Sequence, residues 1–413
     1  MTIIIVPTET CNFRCTGCFE PDAVHEGVGL KYNYNAIERS LLEVWNGSYR
    51  GSDVCLHGGE PLLTPLPELE KLMKLIHSLP WGEGKTKGAV SIVTNGSLIT
   101  DKHIELFKKY NVYVGLSCDG PPELNIHRGP DPKNREVTAE YNQQMKTLIV
   151  KLKNEGLNVS VMCIMHKYNA GTKEMRAKLT QWILWLKSLG ITGGRLNPMY
   201  SDRHPELELS NAEILQNWVN IYHLNKKHNL RWNPLIEMEG NVRGDKGNHQ
   251  SFFPKPCVHN QCNPFNTHTL SILPDGTIGC CDRTFNHGLY TRSIDGKPCG
   301  RYEALPQLDC KDCPYWGICG GGCPEEGIGG DWRRKTRFCE AIYKIYQYIE
   351  KQTGVTRTFT PVTHSDGPHS DDAHGDSNHG DQGHGDNPHG NKGHGDIPHG
   401  DSTHGDSPDW GKD

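Results

Sequence analysis

No apolar run in this 413-residue sequence approaches the length that crosses a bilayer, and no basic stretch followed by a long apolar core opens it. A helical membrane protein and a signal-bearing secreted one are therefore not expected, and the expected compartment is the cytoplasm. A strong charge of one sign is missing too. The formal net charge of −5 divides into −9 from Pro361 onward, where eleven Asp face two Lys, and +4 over the rest. That balance is not the signature of a nucleic-acid partner. Cysteine, by contrast, is plentiful. Sixteen thiols in a chain expected to stay in a reducing compartment argue for metal rather than disulfides.

Three of them stand as Cys11-Asn12-Phe13-Arg14-Cys15-Thr16-Gly17-Cys18, directly after the short apolar run Thr2–Val6. Thiolates are the ligands of iron–sulfur clusters, and these spacings let one loop wrap a single cluster. Three ligands would leave one of four irons open to a small molecule. A structural zinc site would need a closed fourth ligand, and none is evident nearby. The CxxxCxxC segment resembles the signature of the radical S-adenosylmethionine (SAM) enzymes. The resemblance implies that the open iron takes the amino and carboxylate groups of SAM. One electron then yields a 5′-deoxyadenosyl radical that abstracts hydrogen. One position departs from that pattern: the residue before the third cysteine is often aromatic in the family, and here it is Gly17.

Short β-branched runs alternate with helical spacing through the first half. Candidate strands are Thr2–Val6, Asp53–His57, Val90–Thr94, Val112–Ser117, Asn158–Ile164 and Ile191–Asn197. Candidate helices cover Leu66–Leu79, Ile104–Tyr110, Tyr141–Leu152 and Leu179–Leu189. This alternation predicts an α/β fold, a partial (β/α)6 barrel over residues 1–230, as the resemblance also implies. Ligands of such folds sit at the carboxyl ends of the strands. The second strand ends in His57-Gly58-Gly59-Glu60-Pro61, where two glycines let backbone approach a ligand and a carboxylate can receive an ammonium group. The segment is similar to the family's SAM-binding GGEP, which implicates Gly58, Gly59, Glu60 and Pro61. Asn95 and Ser117, at the next two strand ends, are where the family contacts SAM, although turn chemistry explains both equally. Arg128 is either near the active site or a solvated loop cation. Cys55, Cys163, Trp182 and Trp185 read as core.

Residues 201–256 read as polar connection, with 231–256 as the link to a cysteine-rich domain over 257–352. Here Cys310-x2-Cys313-x5-Cys319-x3-Cys323 and Cys339 follow Cys257, Cys262 and Cys281. The run resembles a SPASM domain, the extension of radical SAM enzymes that modify peptides and proteins. Leu270–Leu273 and Thr277–Cys281, joined by Pro274-Asp275-Gly276, read as its opening hairpin. The resemblance implies two auxiliary clusters, one on Cys257, Cys262, Cys281 and Cys323 and one on Cys310, Cys313, Cys319 and Cys339. Three 4Fe-4S clusters and SAM are thus the expected cofactors. Cys280 competes with Cys281 as ligand, and a zinc ribbon on Cys310 and Cys313 is the plainer alternative. Asp282 matches the place of a general base in the related anaerobic sulfatase-maturating enzymes; a turn role is the alternative.

A helix around Glu340–Gln352 ends the patterned chain. The tail, 353–413, repeats His-Gly-Asp or His-Gly-Asn every five residues, with His at 374, 379, 384, 389, 394, 399 and 404. Almost nothing apolar follows His364, so this segment is expected to be disordered. It reads as a metal reservoir, as a fused substrate presented at high effective concentration, or as a solubilising spacer. Only ten residues precede Cys11, so an N-terminal leader-recognition domain is not expected. The expected function is oxidative modification, foremost crosslinking, of a ribosomally made peptide, with a flavodoxin or ferredoxin as electron donor. Formylglycine formation on a sulfatase is the alternative, and metal delivery through the tail is an alternative of another class.

Overall fold

A computed structural model describes residues 2–18, 29, 31–46, 53–81, 90–131, 133–244, 269–279, 305–306, 308–331 and 334–355. The chain divides into two units at Pro361, and all described residues lie in the first. Cys257, Cys262, Cys280, Cys281, Asp282, Cys299 and the His-Gly-Asp repeats lie outside the described residues.

One sheet of nine strands organises the described residues: β1 (Thr2–Ile5), β2 (Asp53–Leu56), β3 (Val90–Thr94), β4 (Tyr113–Ser117), β5 (Val159–Met165), β6 (Gly193–Pro198), β7 (Arg231–Asn233), β8 (Thr269–Ile272) and β9 (Ile278–Gly279). Their spatial order is β7-β6-β5-β4-β3-β2-β1-β8-β9, and every neighbouring pair is parallel except β8–β9. The longer helices are α1 (Tyr34–Asn46), α2 (Leu66–Ser78), α3 (Asp101–Lys109), α4 (Arg135–Asn154), α5 (Lys173–Ser188), α6 (Asn211–His228), α7 (Leu235–Arg243) and α8 (Cys339–Thr353). All six expected strands and all four expected barrel helices are present, because apolar side chains at period two or at helical spacing are what the core buries: Val90 and Ile92 in β3, and Leu69, Leu72, Met73 and Ile76 in α2.

Residues 201–244 are a correction to the polar connection expected over 201–256. They contain α6, β7 and α7, so the sheet runs on past residue 230. Ile214, Trp218, Ile221 and Tyr222 recur at helical spacing and are buried, but Asn217 and Asn225 share that face and obscure the pattern. Both amides are there for backbone. Asn217 Nδ2 donates to the Ala170 carbonyl at 3.0 Å. Asn225 grips Trp232 of β7 twice, donating to its carbonyl at 2.9 Å and accepting from its N–H at 3.0 Å. Strand β7 has one sheet neighbour, so its outward backbone groups need such a partner. The Trp232 indole packs against Gly194 of β6, where a Cβ would come within 2.6 Å of the ring.

The opening hairpin of the cysteine-rich region is present as β8 and β9, in a position the sequence did not suggest. Strand β8 pairs in parallel with β1, from Thr2 opposite Thr269 to Ile5 opposite Ile272. The turn is tied to α1: Gly276 (φ +85°) leaves no room for a Cβ against Ala36, and its carbonyl accepts from Ser40 Oγ at 2.6 Å. Helix α8 docks on α6, where Asn211 donates to the Arg337 carbonyl and accepts from the Ala341 N–H, both at 3.1 Å.

Replacing Asn225 with Ala strips both partners from buried Trp232 backbone. The expected loss is about 1–3 kcal/mol in urea unfolding, with β7 the first amides to exchange faster. Unchanged stability would show that the clamp is incidental.

Candidate functional site

The cysteine loop is fixed by backbone before any side chain matters. Beyond the end of β1, residues 8–10 continue alongside 57–60: the His57 N–H donates to the Ile5 carbonyl at 2.9 Å, Gly59 to Thr8 at 3.0 Å and Glu60 to Thr10 at 2.9 Å. A Cβ at residue 58 (φ +123°) would lie 2.6 Å from Val6 Cγ1, and one at 59 would lie 2.1 Å from the Thr10 carbonyl oxygen. The two glycines thus admit the chain's own backbone, which carries Cys11 to its place.

Glu60 is fully buried and caps the single turn begun by Pro61 (Pro61–Leu63). Its Oε1 accepts from the Leu62 N–H at 3.1 Å and Thr94 Oγ1 at 2.6 Å, and Oε2 accepts from the Asn95 N–H at 2.8 Å. Burial pushes the carboxyl pKa up, and these three donors push it partly back. The side chain therefore binds the end of β2 to the end of β3, and an ammonium group would have to share oxygens already in use. Asn95 reaches the cysteine loop directly. Its Nδ2 donates to Asn12 Oδ1 at 2.9 Å and lies 4.0 Å from Cys11 Sγ, while its carbonyl accepts from Tyr141 Oη at 2.7 Å. Ser117 is half-buried at the end of β4.

Cys11, Cys15 and Cys18 are all half-buried. Cys11 Sγ accepts from the Phe13 N–H at 3.3 Å, and burial pushes this thiol up to about 11, with the Phe13 amide acting against it. The Phe13 ring stands edge-on to Tyr141 of α4 at 4.6 Å between centroids. Around Cys15, the Arg14 N–H donates to the Gly129 carbonyl and the Thr16 N–H to the His127 carbonyl, both at 3.0 Å. Arg128 is no solvated cation. Its Nε and Nη2 meet Asp119 Oδ2 and Oδ1 at 3.0 and 3.1 Å, with Asp119 buried. Neither Asp119 nor this pairing was singled out by sequence reasoning; the Asp-Gly after β4 looks like a turn.

Gly17 has a structural explanation. A Cβ there would fall 2.2 Å from Met199 Cε, so the buried Met199, just past β6, fills the space a larger residue 17 would take. His166, at the end of β5, is fully buried, and its Nδ1 accepts from the Tyr168 N–H at 3.1 Å. That bond puts the ring proton on Nε2, which has no hydrogen-bond partner among the described residues; the ring stands edge-on to His127 at 5.1 Å.

In the cysteine-rich segment, Cys310, Cys313, Cys319 and Cys339 share one neighbourhood: burial, and then repulsion from the other three, disfavour ionisation of Cys319. Cys323 is buried beside them in sequence, after Gly320, Gly321 and Gly322, all at positive φ. Among the described residues no three His, Cys, Asp or Glu side chains converge on one metal ion. The ligands of a cluster each meet a different iron and need not converge. Three thiols on one loop, with amide donors turned toward the Cys11 sulfur, are a donor set that fits a 4Fe-4S cluster.

Residues 5–179 match the Radical SAM superfamily. The serine-type anaerobic sulfatase-maturating enzyme of Klebsiella aerogenes is 23% identical over 360 residues, 82% of this chain and 82% of that protein. The cysteine-type enzyme of Clostridium novyi is 21% identical over 400 residues, 88% of this chain and 99% of that one. Among solved structures, native anSMEcpe with bound AdoMet and Cp18Cys peptide superposes with a TM-score of 0.62 at 18% identity, over 85% of this chain and 97% of that one. Streptococcus suis SuiB bound to precursor peptide SuiA gives 0.54 at 17% identity, over 81% and 74%. These likenesses show a shared fold.

The buried imidazole gives the folded state a pH dependence. Burial, and weakly His127 and Arg128, lower the His166 pKa from 6.5 to about 4 against the pull of Asp119. The unfolded chain binds this proton below pH 6.5 and the folded one only near 4, so stability is full above 6.5 and falls between the two. The expected loss is about 3 kcal/mol. Urea titrations from pH 7.5 downward should show a steeper decline for the native chain than for His166→Asn, and equal slopes would refute the assignment.

Proposed function

We propose that this protein, whose residues 5–179 match the Radical SAM superfamily, is a radical SAM enzyme that oxidises a carbon centre within a peptide or protein. One observation carries the reading: beyond the carboxyl end of β1 the chain is held first by residues 57–60, up to Thr10, and then, within the CxxxCxxC loop, by residues 127–129, and a second group of thiols rides on α6 through α8. The relatives named for sulfatase maturation and the SuiB structure with its precursor peptide support a peptidic substrate.

Cys11, Cys15 and Cys18 would hold a 4Fe-4S cluster, with Gly58, Gly59, Glu60, Pro61, Asn95 and Ser117 around SAM. When bound, that pair supplies a 5′-deoxyadenosyl radical that takes a hydrogen atom from the substrate. The chain contributes position and dryness: Glu60 locks two strand ends, Asn95 and the Phe13 amide aim N–H groups at Cys11, and Phe13 closes against Tyr141. Two further clusters, on Cys257, Cys262, Cys281 and Cys323 and on Cys310, Cys313, Cys319 and Cys339, belong to the proposal, as does Asp282 taking a proton as the substrate radical gives its electron to one of those clusters. A flavodoxin or ferredoxin would supply the first electron.

The finer proposal is oxidative crosslinking of a ribosomally made peptide, with the His-Gly-Asp tail as a candidate substrate. Formylglycine formation on a sulfatase is the second reading, favoured by the 82% of both chains shared with the serine-type enzyme.

Two measurements decide. Anaerobically reconstituted protein should cleave SAM to 5′-deoxyadenosine, and Cys15→Ala should bring this to background; cleavage by the variant would end the radical SAM assignment. Tandem mass spectrometry of tail peptides, against a Cys11/Cys15/Cys18 triple-Ala control, should show loss of hydrogen pairs within the repeats. An untouched tail together with an aldehyde formed on a sulfatase peptide would replace crosslinking with the second reading.

A further inference from the structure

The Arg14 N–H donates to the Gly129 carbonyl and the Thr16 N–H to the His127 carbonyl. The two bonds bracket Cys15 on one segment and Arg128 on the other. The Arg128 side chain is 17% exposed and that of Asp119 only 4%. Two parallel N–H···O bonds join them in a fork-to-fork geometry.

Asp119 is itself immobilised from three directions. Its Oδ1 accepts from the Ile164 N–H of β5 at 2.8 Å, its own N–H donates to Asn125 Oδ1 at 2.8 Å, and its carbonyl accepts from Asn169 Nδ2 at 2.9 Å. Asn125 is in turn fixed by Asn142 of α4 at 2.6 Å. Nearby, burial holds Cys118 at about 12, raises Tyr141 and lowers His166, so these three are uncharged near neutrality. Arg128 and Asp119 are thus an immobilised ion pair whose arginine sits on the segment bonded to either side of Cys15.

Charge this close, in a poorly solvated setting, acts on whatever the thiol holds. A cluster that accepts one electron gains one negative charge, so a nearby cation eases reduction and an anion opposes it. We propose that Arg128 and Asp119 are positioning residues that set the reduction potential of the cluster on Cys11, Cys15 and Cys18, the carboxylate offsetting the guanidinium so that the potential stays low. This rests on the cluster reading above. No bond forms or breaks; one electron enters from a low-potential ferredoxin- or flavodoxin-like donor.

The test is a redox titration of the full-length, anaerobically reconstituted protein, followed by electron paramagnetic resonance on the reduced-cluster signal that responds to added SAM. Asp119→Asn leaves the cation uncompensated and should raise the midpoint potential. Arg128→Gln should lower it, and Arg128→Lys, which keeps the charge, should stay near the native value. Opposite shifts are the required result, since a purely structural brace does not move two variants in opposite directions. Shifts of one sign, no shifts, or cluster loss in all three variants would overturn the proposal. Failure of the cluster reading would look different: the native protein itself would give no SAM-responsive signal.

Discussion

The structure depends on a backbone contact that only glycine permits. Where β1 and β2 run out, residues 8–10 and 57–60 stay within hydrogen-bonding distance, and a Cβ at either Gly58 or Gly59 would push them apart. Because that contact survives, Cys11 leaves the sheet at a fixed point and Glu60 is carried into the interior. There Glu60 binds Thr94 and Asn95, and Asn95 touches the cysteine loop again. The circuit from Cys11 through Glu60 and Asn95 closes on itself within one layer of strand ends.

A second feature of that layer is how much polarity it buries. Glu60, Thr94, Asn95, Asp119, Asn125, Asn142, His166 and Asn169 are all nearly inaccessible. Such groups cost stability unless partnered, and a hydrophobic filling would serve the fold as well or better. Their concentration at one end of the sheet, while the helix-facing side chains are apolar, marks that end as the part of the molecule shaped by something other than folding.

The sequence was legible where periodicity and spacing carry the information. Six strands, four barrel helices and the C-terminal helix follow from apolar repeats, and the CxxxCxxC loop stands where its spacing placed it. Helix α1 was not among the expected helices, although Ala36, Ile37, Leu41, Val44 and Trp45 recur at helical spacing and are all buried. Helix α6 and strand β7 were obscured because Asn217 and Asn225 occupy inward positions to satisfy backbone, which no polar–apolar pattern announces. Asp119 was illegible for a related reason: Asp-Gly is ordinary turn chemistry, and only the tertiary contact with Arg128 gives it a partner. Gly17 is understood only through Met199, far away in sequence.

The pairing of β8 with β1 has a consequence in time. Strand β1 leaves the ribosome before Thr269–Ile272, so one of its two edges waits for that segment. Until then an apolar strand, Ile3-Ile4-Ile5, presents open backbone beside the cysteine loop, the kind of edge on which other chains assemble. The nascent protein must therefore either shield that edge or keep β1 uncommitted while most of the barrel is made. The side of the sheet on which the cysteine loop begins is thus the last to be completed.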